Sequence, residues 1–239
     1  MAKLTTLEIY NGILRNCGEQ TVASLASLSA GLQTVAWDKL SEALVEICTD
    51  QNTRWQFLEA FGIVTLSTNN YRYLISSLTT PSAGSDMQRE DRESFIQPDS
   101  GNRIKYLTPQ EWDRKYPKGI ETAMTGYPTE YTKFAGYLIF NKYATASENG
   151  DLVNFRYWKH PTMPATGSPN ATLDIPEPFD RLVLIPLATM KTMVYLGNDE
   201  AAAHRVTVFG NGQDIEGNLA KLHEIYGSPE LKPRVSFNA

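Results

Sequence analysis

Residues 152–196 read LVNFRYWKHPTMPATGSPNATLDIPEPFDRLVLIPLATMKTMVYL, and the fold turns on how this stretch divides. Leu152 to Lys159 alternates in the manner of a half-buried strand. His160-Pro161 to Leu173 is polar and Pro-rich. Asp174 fits an N-cap, and Ile175-Pro176-Glu177-Pro178 fits a first helical turn. Missing N–H groups cost nothing there, and negative charge meets the positive end of the helix dipole. Phe179, Leu182, Val183, Ile185, Leu187, Met190, Met193, Val194 and Leu196 predict a helix apolar on much of its circumference. Such a helix is central to its domain or packed on a neighbouring subunit. Pro186 removes one hydrogen bond and predicts a kink. Strand-like sequence precedes the stretch and helical sequence follows it. It is the point at which an inserted β region returns the chain to a helical body.

Working outward, the N-terminal part is helical. Thr5-Thr6-Leu7-Glu8 fits a capping box. Leu4, Leu7, Tyr10, Ile13, Leu14 and Cys17 follow at helical spacing, with Gly18 as the stop. Residues 18–34 are small and polar and read as a connection. A second helix is predicted from Trp37, Leu40, Leu44, Ile47, Trp55 and Leu58, fraying between Trp55 and Ala60.

From Phe61 the period changes to two. Ile63–Ser67 and Tyr71–Ile75 flank Thr68-Asn69-Asn70 and predict a hairpin. Residues 79–101 read as a loop with at most one short ordered piece. Its charge run, Arg89-Glu90-Asp91-Arg92-Glu93, reads as solvated, although Glu90 and Glu93 are the kind of carboxylate pair that acid–base chemistry uses. Arg103–Leu107 is a short strand. Thr108-Pro109-Gln110-Glu111-Trp112 starts a short helix that ends before Pro117. A strand pair surrounds Gly136, and Glu148-Asn149-Gly150-Asp151 is a turn. Downstream of the opening stretch, Ala202 to Tyr226 is helical with a break near Gly210 to Gly212. Glu230 to Ala239 is an extended tail.

Composition narrows the function. The chain has 239 residues, 41% of them hydrophobic and 21% charged, an ordinary globular balance. A net charge of −5 argues against a protein that grips nucleic acid through a globally basic surface. Cys17 and Cys48 are too few for a disulfide scaffold or a structural zinc site, and they read as reduced core thiols of a cytoplasmic product. No apolar run reaches membrane-spanning length, and no signal-peptide core follows Met1. His160, His204 and His223 form no metal-binding spacing, and no catalytic or phosphate-loop motif occurs. The expectation is a non-enzymatic chain with no cofactor, no metal and no catalytic residues. Tyr71/Tyr73, Phe155/Tyr157 and Tyr137 lie on β-like runs, where cross-strand packing is favoured over stacking on bases.

The order of these pieces resembles a phage family, the head-to-tail adaptor (connector) proteins of the tail tubular protein A type found in short-tailed phages. Four matches carry the resemblance. Cys17-Gly18-Glu19 closes the first helix, and the second ends in Trp55-x-Phe57 before β sequence. Leu107-Thr108-Pro109-x-x-Trp112 is followed by Gly126-Tyr127-Pro128 and a Gly136-centred strand pair. Phe155-Arg156-Tyr157-Trp158-Lys159-His160-Pro161 is followed by Asp174-Ile175-Pro176-Glu177-Pro178-Phe179-Asp180. Two departures are the long segment Pro81 to Asn102 and Pro186 within a helix.

The resemblance implies an α+β fold: an α-helical bundle with an inserted antiparallel β domain and an extended C-terminal arm. The expected divisions are 1–60 and 174–228 for the body, 61–173 for the insertion and 229–239 for the arm. It implies a homo-oligomeric ring, usually of twelve copies, at the virion neck, where it would join the portal protein to tail or nozzle proteins. Genomic DNA would pass through the lumen without being read. Leu231, Lys232, Arg234, Val235 and Phe237 would form the portal-binding arm. Phe179, Leu182, Met190 and Met193 would serve the body helix and subunit interface, so that Asp at Phe179 or Leu182 would bury an unpaired charge. The alternatives are a tail-completion or gatekeeper protein, and a virion-associated cell-wall hydrolase using Glu90 or Glu93.

Overall fold

The computed structural model describes residues 3–26, 28, 31–49, 53–78, 87–212 and 215–229. The predicted docking arm, Leu231 to Phe237, lies outside them. The fold is α+β. The chain divides into two compact units, Met1–Leu58 with His160–Ala239, and Glu59–Lys159.

The helical unit opens with α1 (Thr6–Asn16), started by the predicted capping box. The Glu8 N–H donates to Thr5 Oγ1 at 3.3 Å and the Thr5 N–H to Glu8 Oε2 at 2.8 Å. At its end Gly18 takes φ 77°, and the Glu19 N–H reaches the Leu14 carbonyl at 2.9 Å. This is the left-handed closure that glycine allows at little cost. Ile9, Tyr10, Ile13 and Leu14 are buried. The Asn11 side chain then brackets Val22 from both sides, accepting its N–H and donating to its carbonyl.

Helix α2 (Leu32–Cys48) stops before the predicted fray. Trp55 belongs instead to a short strand, β1 (Thr53–Trp55). Its indole is buried and donates to the Ile47 carbonyl at 2.7 Å, so the ring folds back over the helix that its spacing had seemed to extend.

The β unit holds two sheets. Strands β2 (Glu59–Thr65), β8 (Leu152–Lys159) and β4 (Met87–Glu90) form one, in the order β2-β8-β4. The other has the order β3-β7-β6-β5, from β3 (Arg72–Leu74), β7 (Tyr137–Phe140), β6 (Glu130–Phe134) and β5 (Lys105–Tyr106). All pairs are antiparallel except β5 with β6. The predicted hairpin around Asn69 is therefore corrected. The turn exists, with Asn69 at φ 60°, but its arms enter different sheets. The eight-residue strand β8 outcompetes β3 for β2, pairing with all seven residues of β2 from Glu59–Trp158 to Thr65–Leu152. The hairpin at Gly136 forms as predicted. Ala135 and Gly136 take φ 48° and 79°, matching the twist that two-residue hairpins prefer.

The inner faces of both sheets share one core. Phe95 sits at its centre, stacked on Phe155 at 4.4 Å and on Tyr131 at 4.1 Å between ring centroids. Gly62 lies under Phe155, where any Cβ would come within 2.2 Å of the ring. Helix α3 (Pro109–Lys115) covers the outer face of the second sheet with Trp112, beside Leu107 and Ile120.

Residues 160–173 are grouped with the helices, not with the β unit. Thr6 explains why: its N–H and hydroxyl both donate to the Ala171 carbonyl, at 2.8 and 2.7 Å. Leu173 and Ile175 are buried. The division falls after Lys159 rather than near Leu173, because polar loop sequence does not reveal which backbone it will bond.

The apolar helix predicted from Ile175 begins later. A π-helical turn spans Asp180–Leu184, marked by the Ile185 N–H bonding the Asp180 carbonyl, and it leads into α4 (Ile185–Leu196). Pro186 thereby occupies the first turn of α4, where its missing N–H is tolerated. The Leu182 carbonyl, which an amide at position 186 would have bonded, accepts from Asn218 Nδ2 at 3.2 Å. Gly197 at φ 70° ends α4. Helix α5 (Ala201–Phe209) and helix α6 (Asn218–Tyr226) follow, separated where the glycines predicted a break. Strand β9 (Gly227–Pro229) then pairs antiparallel with β1.

Candidate functional site

The four body-helix residues do not share one face. Phe179 is buried, edge-on to Tyr226 at 6.1 Å, and Met193 is buried as well. Met190 is half-buried. Leu182 is 39% exposed, so the expectation that an Asp there would be buried is corrected: the π-helical turn rotates Leu182 away from the core. Apolar surface is concentrated instead on the last turn of α4, where Val194, Tyr195 and Leu196 are each at least half exposed.

An aromatic cluster at the root of β9 carried no motif. The Trp55 ring lies tilted against His223 at 4.6 Å, and Phe57 meets Tyr226 edge-on at 6.1 Å. His223 Nδ1 lies 2.9 Å from Thr53 Oγ1. A cavity of about 280 Å³ beside it is lined by Glu46, Ile47, Leu187, Leu219 and His223. The spacing that placed Trp55 and His223 in separate helical patterns gave no sign that they meet. Neither Cys17 nor Cys48 is in a disulfide, and burial, with help from Glu19, pushes the Cys17 thiol up to about 11.

The charge run of the β unit is the largest departure from the sequence reading. Met87–Glu90 is an edge strand against β8, and Glu90 is only 6% exposed. Burying a carboxylate is costly unless it is paired. Lys133, two residues from Tyr131 on β6 and so on the same inner face, donates to Glu90 Oε2 at 2.8 Å. Arg92 Nε lies 3.5 Å from Glu90 Oε1. The Arg92 guanidinium rests over the Tyr106 ring, 4.1 Å from its centroid. Glu93 is exposed and faces Arg103 at 3.4 Å. The two carboxylates weighed for acid–base work thus differ sharply in burial, and cations hold both oxygens of Glu90. Asp91 pairs with Arg156 at 3.0 Å.

Beneath this cluster the Tyr131 hydroxyl is fully buried with no hydrogen-bond partner, and the Thr132 hydroxyl is likewise unpartnered. Burial, reinforced by the charge of Glu90, pushes the Tyr131 phenol far above its ordinary value, so it stays neutral. Two open clefts flank the cluster. One, of about 410 Å³, is lined by Arg89, Glu90, Arg92, Tyr106 and Lys133 among others. The other, of about 400 Å³, is lined by Arg92, Glu93, Arg103, Ile104, Lys105 and Tyr106. Among the described residues, no group of three His, Cys, Asp or Glu side chains is placed to hold a metal, and no helix is long and apolar enough to cross a membrane.

The aromatic pairs singled out on the strands pack inward or on each other. Tyr73 lies against Phe140, Phe155 and Tyr157 are in the core, and Tyr71 meets Tyr143 at 4.6 Å. No protein-family model matches the chain, and no curated protein matches it.

Proposed function

We propose that this chain is a structural, non-enzymatic virion protein, a head–tail adaptor that forms a ring between the portal and the tail or nozzle of a phage. The observation that carries the reading is the architecture. Helices from both ends of the chain form one unit, and a mostly antiparallel β unit is inserted in sequence between α2 and α4. This is the arrangement implied by the ordered motifs from Cys17-Gly18-Glu19 to Asp174-Ile175-Pro176.

The surface of the helical unit supports self-association. Val194, Tyr195 and Leu196 on α4, with Leu182, Phe209, Ile215 and Ile225, expose large apolar side chains. Exposed apolar surface of this kind marks interaction sites. Ring closure would use unlike faces of neighbouring copies, a heterologous contact that closes by rotation. The segment containing Leu231, Lys232, Arg234, Val235 and Phe237 would dock on the portal, and genomic DNA would pass through the lumen unread.

The test is the mass of the purified chain in solution, with and without portal protein. A ring-sized assembly on the portal is the expected result. A chain that stays monomeric with every portal preparation, or that is absent from the neck in images of assembled virions, overturns the reading.

A further inference from the structure

We infer that the cavity beside His223 takes the side chain of Leu231 from the same chain, so that the arm is latched onto the body that carries it. The cavity holds about 280 Å³ between Ile47, Leu187, Leu219 and His223, with Glu46 at its side. That is below the roughly 300–1,000 Å³ of sites built for small molecules, and it suits one aliphatic side chain. Ile47 and Leu187 are buried, whereas Leu219 and His223 are only half-buried, so the apolar wall is open on the side of α6.

The place where the described chain stops points to the occupant. Pro229 is paired with Thr53 across the β1–β9 ladder, and the Thr53 hydroxyl lies 2.9 Å from Nδ1 of His223. The chain therefore reaches Pro229 one strand spacing, about 5 Å, from a residue that touches the cavity wall. Residues 230–239 continue from there, outside the described residues. Leu231 is two positions on, within about 7 Å of Pro229 even at full extension. Val235 and Phe237 come later, past Pro233.

Side-chain direction selects the same residue. Residues opposite one another on paired strands point to one face. Thr53 and Trp55 both turn towards His223, the first through its hydroxyl and the second through its tilted ring. Their partners Pro229 and Gly227 share that face. A Cβ at Gly227 would come within 2.6 Å of the His223 carbonyl oxygen, so the face is pressed against α6. The period of two carries Leu231 onto it and turns Glu230 and Lys232 away. The contact lies within one chain and does not rest on the adaptor reading. In an adaptor, the portal would take the arm only after Leu231 leaves this cavity.

The experiment is NMR of the full-length chain with isotope-labelled leucine methyl groups, joined to amide exchange. Contacts from the Leu231 methyls to Leu187 or Leu219 are expected, unchanged on dilution. Leu231→Ser should quicken amide exchange in β1 and β9 by at least about tenfold, the worth of one buried leucine. Phe237→Ser should exchange as the parent does. Both substitutions lie in the arm, and melting curves check that the body stays folded. Absence of the Leu231 contacts in the parent overturns the proposal, as does unchanged exchange in Leu231→Ser or equal quickening in Phe237→Ser. Contacts seen only between differently labelled copies also overturn it, by giving the cavity to the arm of a second copy.

Discussion

Phe179 and Leu182 stand three residues apart on the same turn of sequence, yet only one is in the core. Phe179 is 4% exposed and packs on Tyr226, whereas Leu182 is 39% exposed. Phe179→Asp should lower stability by roughly 3 kcal/mol or more, since it removes a buried ring and buries an unpaired charge. Leu182→Asp should stay within about 0.5 kcal/mol, as surface changes do. Urea midpoints separate the two, and equal losses would place Leu182 in a buried site. Glu130 gives a second residue-scale prediction. Burial pushes its carboxyl up, but hydrogen bonds from Lys115 at 2.5 Å and Tyr116 at 2.7 Å outweigh this and hold it below the ordinary value. A carboxyl with a lowered folded-state pKa stabilises above its unfolded value and loses that contribution as pH falls through the folded one. Stability of the parent should therefore fall across the range from about pH 4.5 downward, and Glu130→Gln should show a flatter profile there. Identical acid profiles would dismiss the network. None of this could be read from the sequence, because Lys115, Tyr116 and Glu130 are brought together by the fold of α3 onto β6.

At the scale of elements, what the sequence showed clearly was chemistry completed within four residues. The capping box predicted at Thr5 and Glu8 forms, and the helix start predicted at Thr108-Pro109 forms with Glu111 closing a second such box. The Gly136 hairpin and the break between α5 and α6 are equally local. Thr108→Ala should cost about 1 kcal/mol, the usual worth of such a cap. Hydrogen exchange should show the loss concentrated in α3 and spare α1; uniform loss across the chain would mean that α3 is not a separable element. What the sequence hid was competition between distant partners. Trp55 keeps helical spacing with Ile47 because its indole folds back onto that carbonyl, not because the helix continues. Strand β2 takes β8 in place of its neighbour β3. The run around Glu90 looks solvated in sequence and is buried because Lys133, far along the chain, supplies the counter-charge. Pro186 by itself predicts a kink, and the π-helical turn before it makes the residue a helix start instead.

For the whole molecule, the division into two units predicts two independent folding bodies. The β unit begins at Glu59 and ends at Lys159, and Glu59 is paired with Trp158, so its two ends leave side by side. Residues 59–159 expressed alone should melt cooperatively, and the remainder should do so with a short Gly/Ser link joining Leu58 to His160. Broad, non-cooperative melting of both fragments would show that each unit needs the other. The insertion was legible in sequence from the change of period at Phe61 and its reversal at Ile175; its far boundary was not, because it depends on the bonds from Thr6 to Ala171. The surfaces through which copies would meet were legible only as a long apolar helix, without the orientation that leaves Val194 to Leu196 outside. The small β1–β9 pair has a mechanical consequence. Thr53 faces Pro229 and Trp55 faces Gly227, so the chain leaves β9 at the same end at which it enters β1. A load applied to the chain beyond Pro229 opens these bonds one after another, like a zipper, instead of breaking them together. His223 spans that path, bonded to Thr53 where the tear begins and packed on the Trp55 ring where it ends.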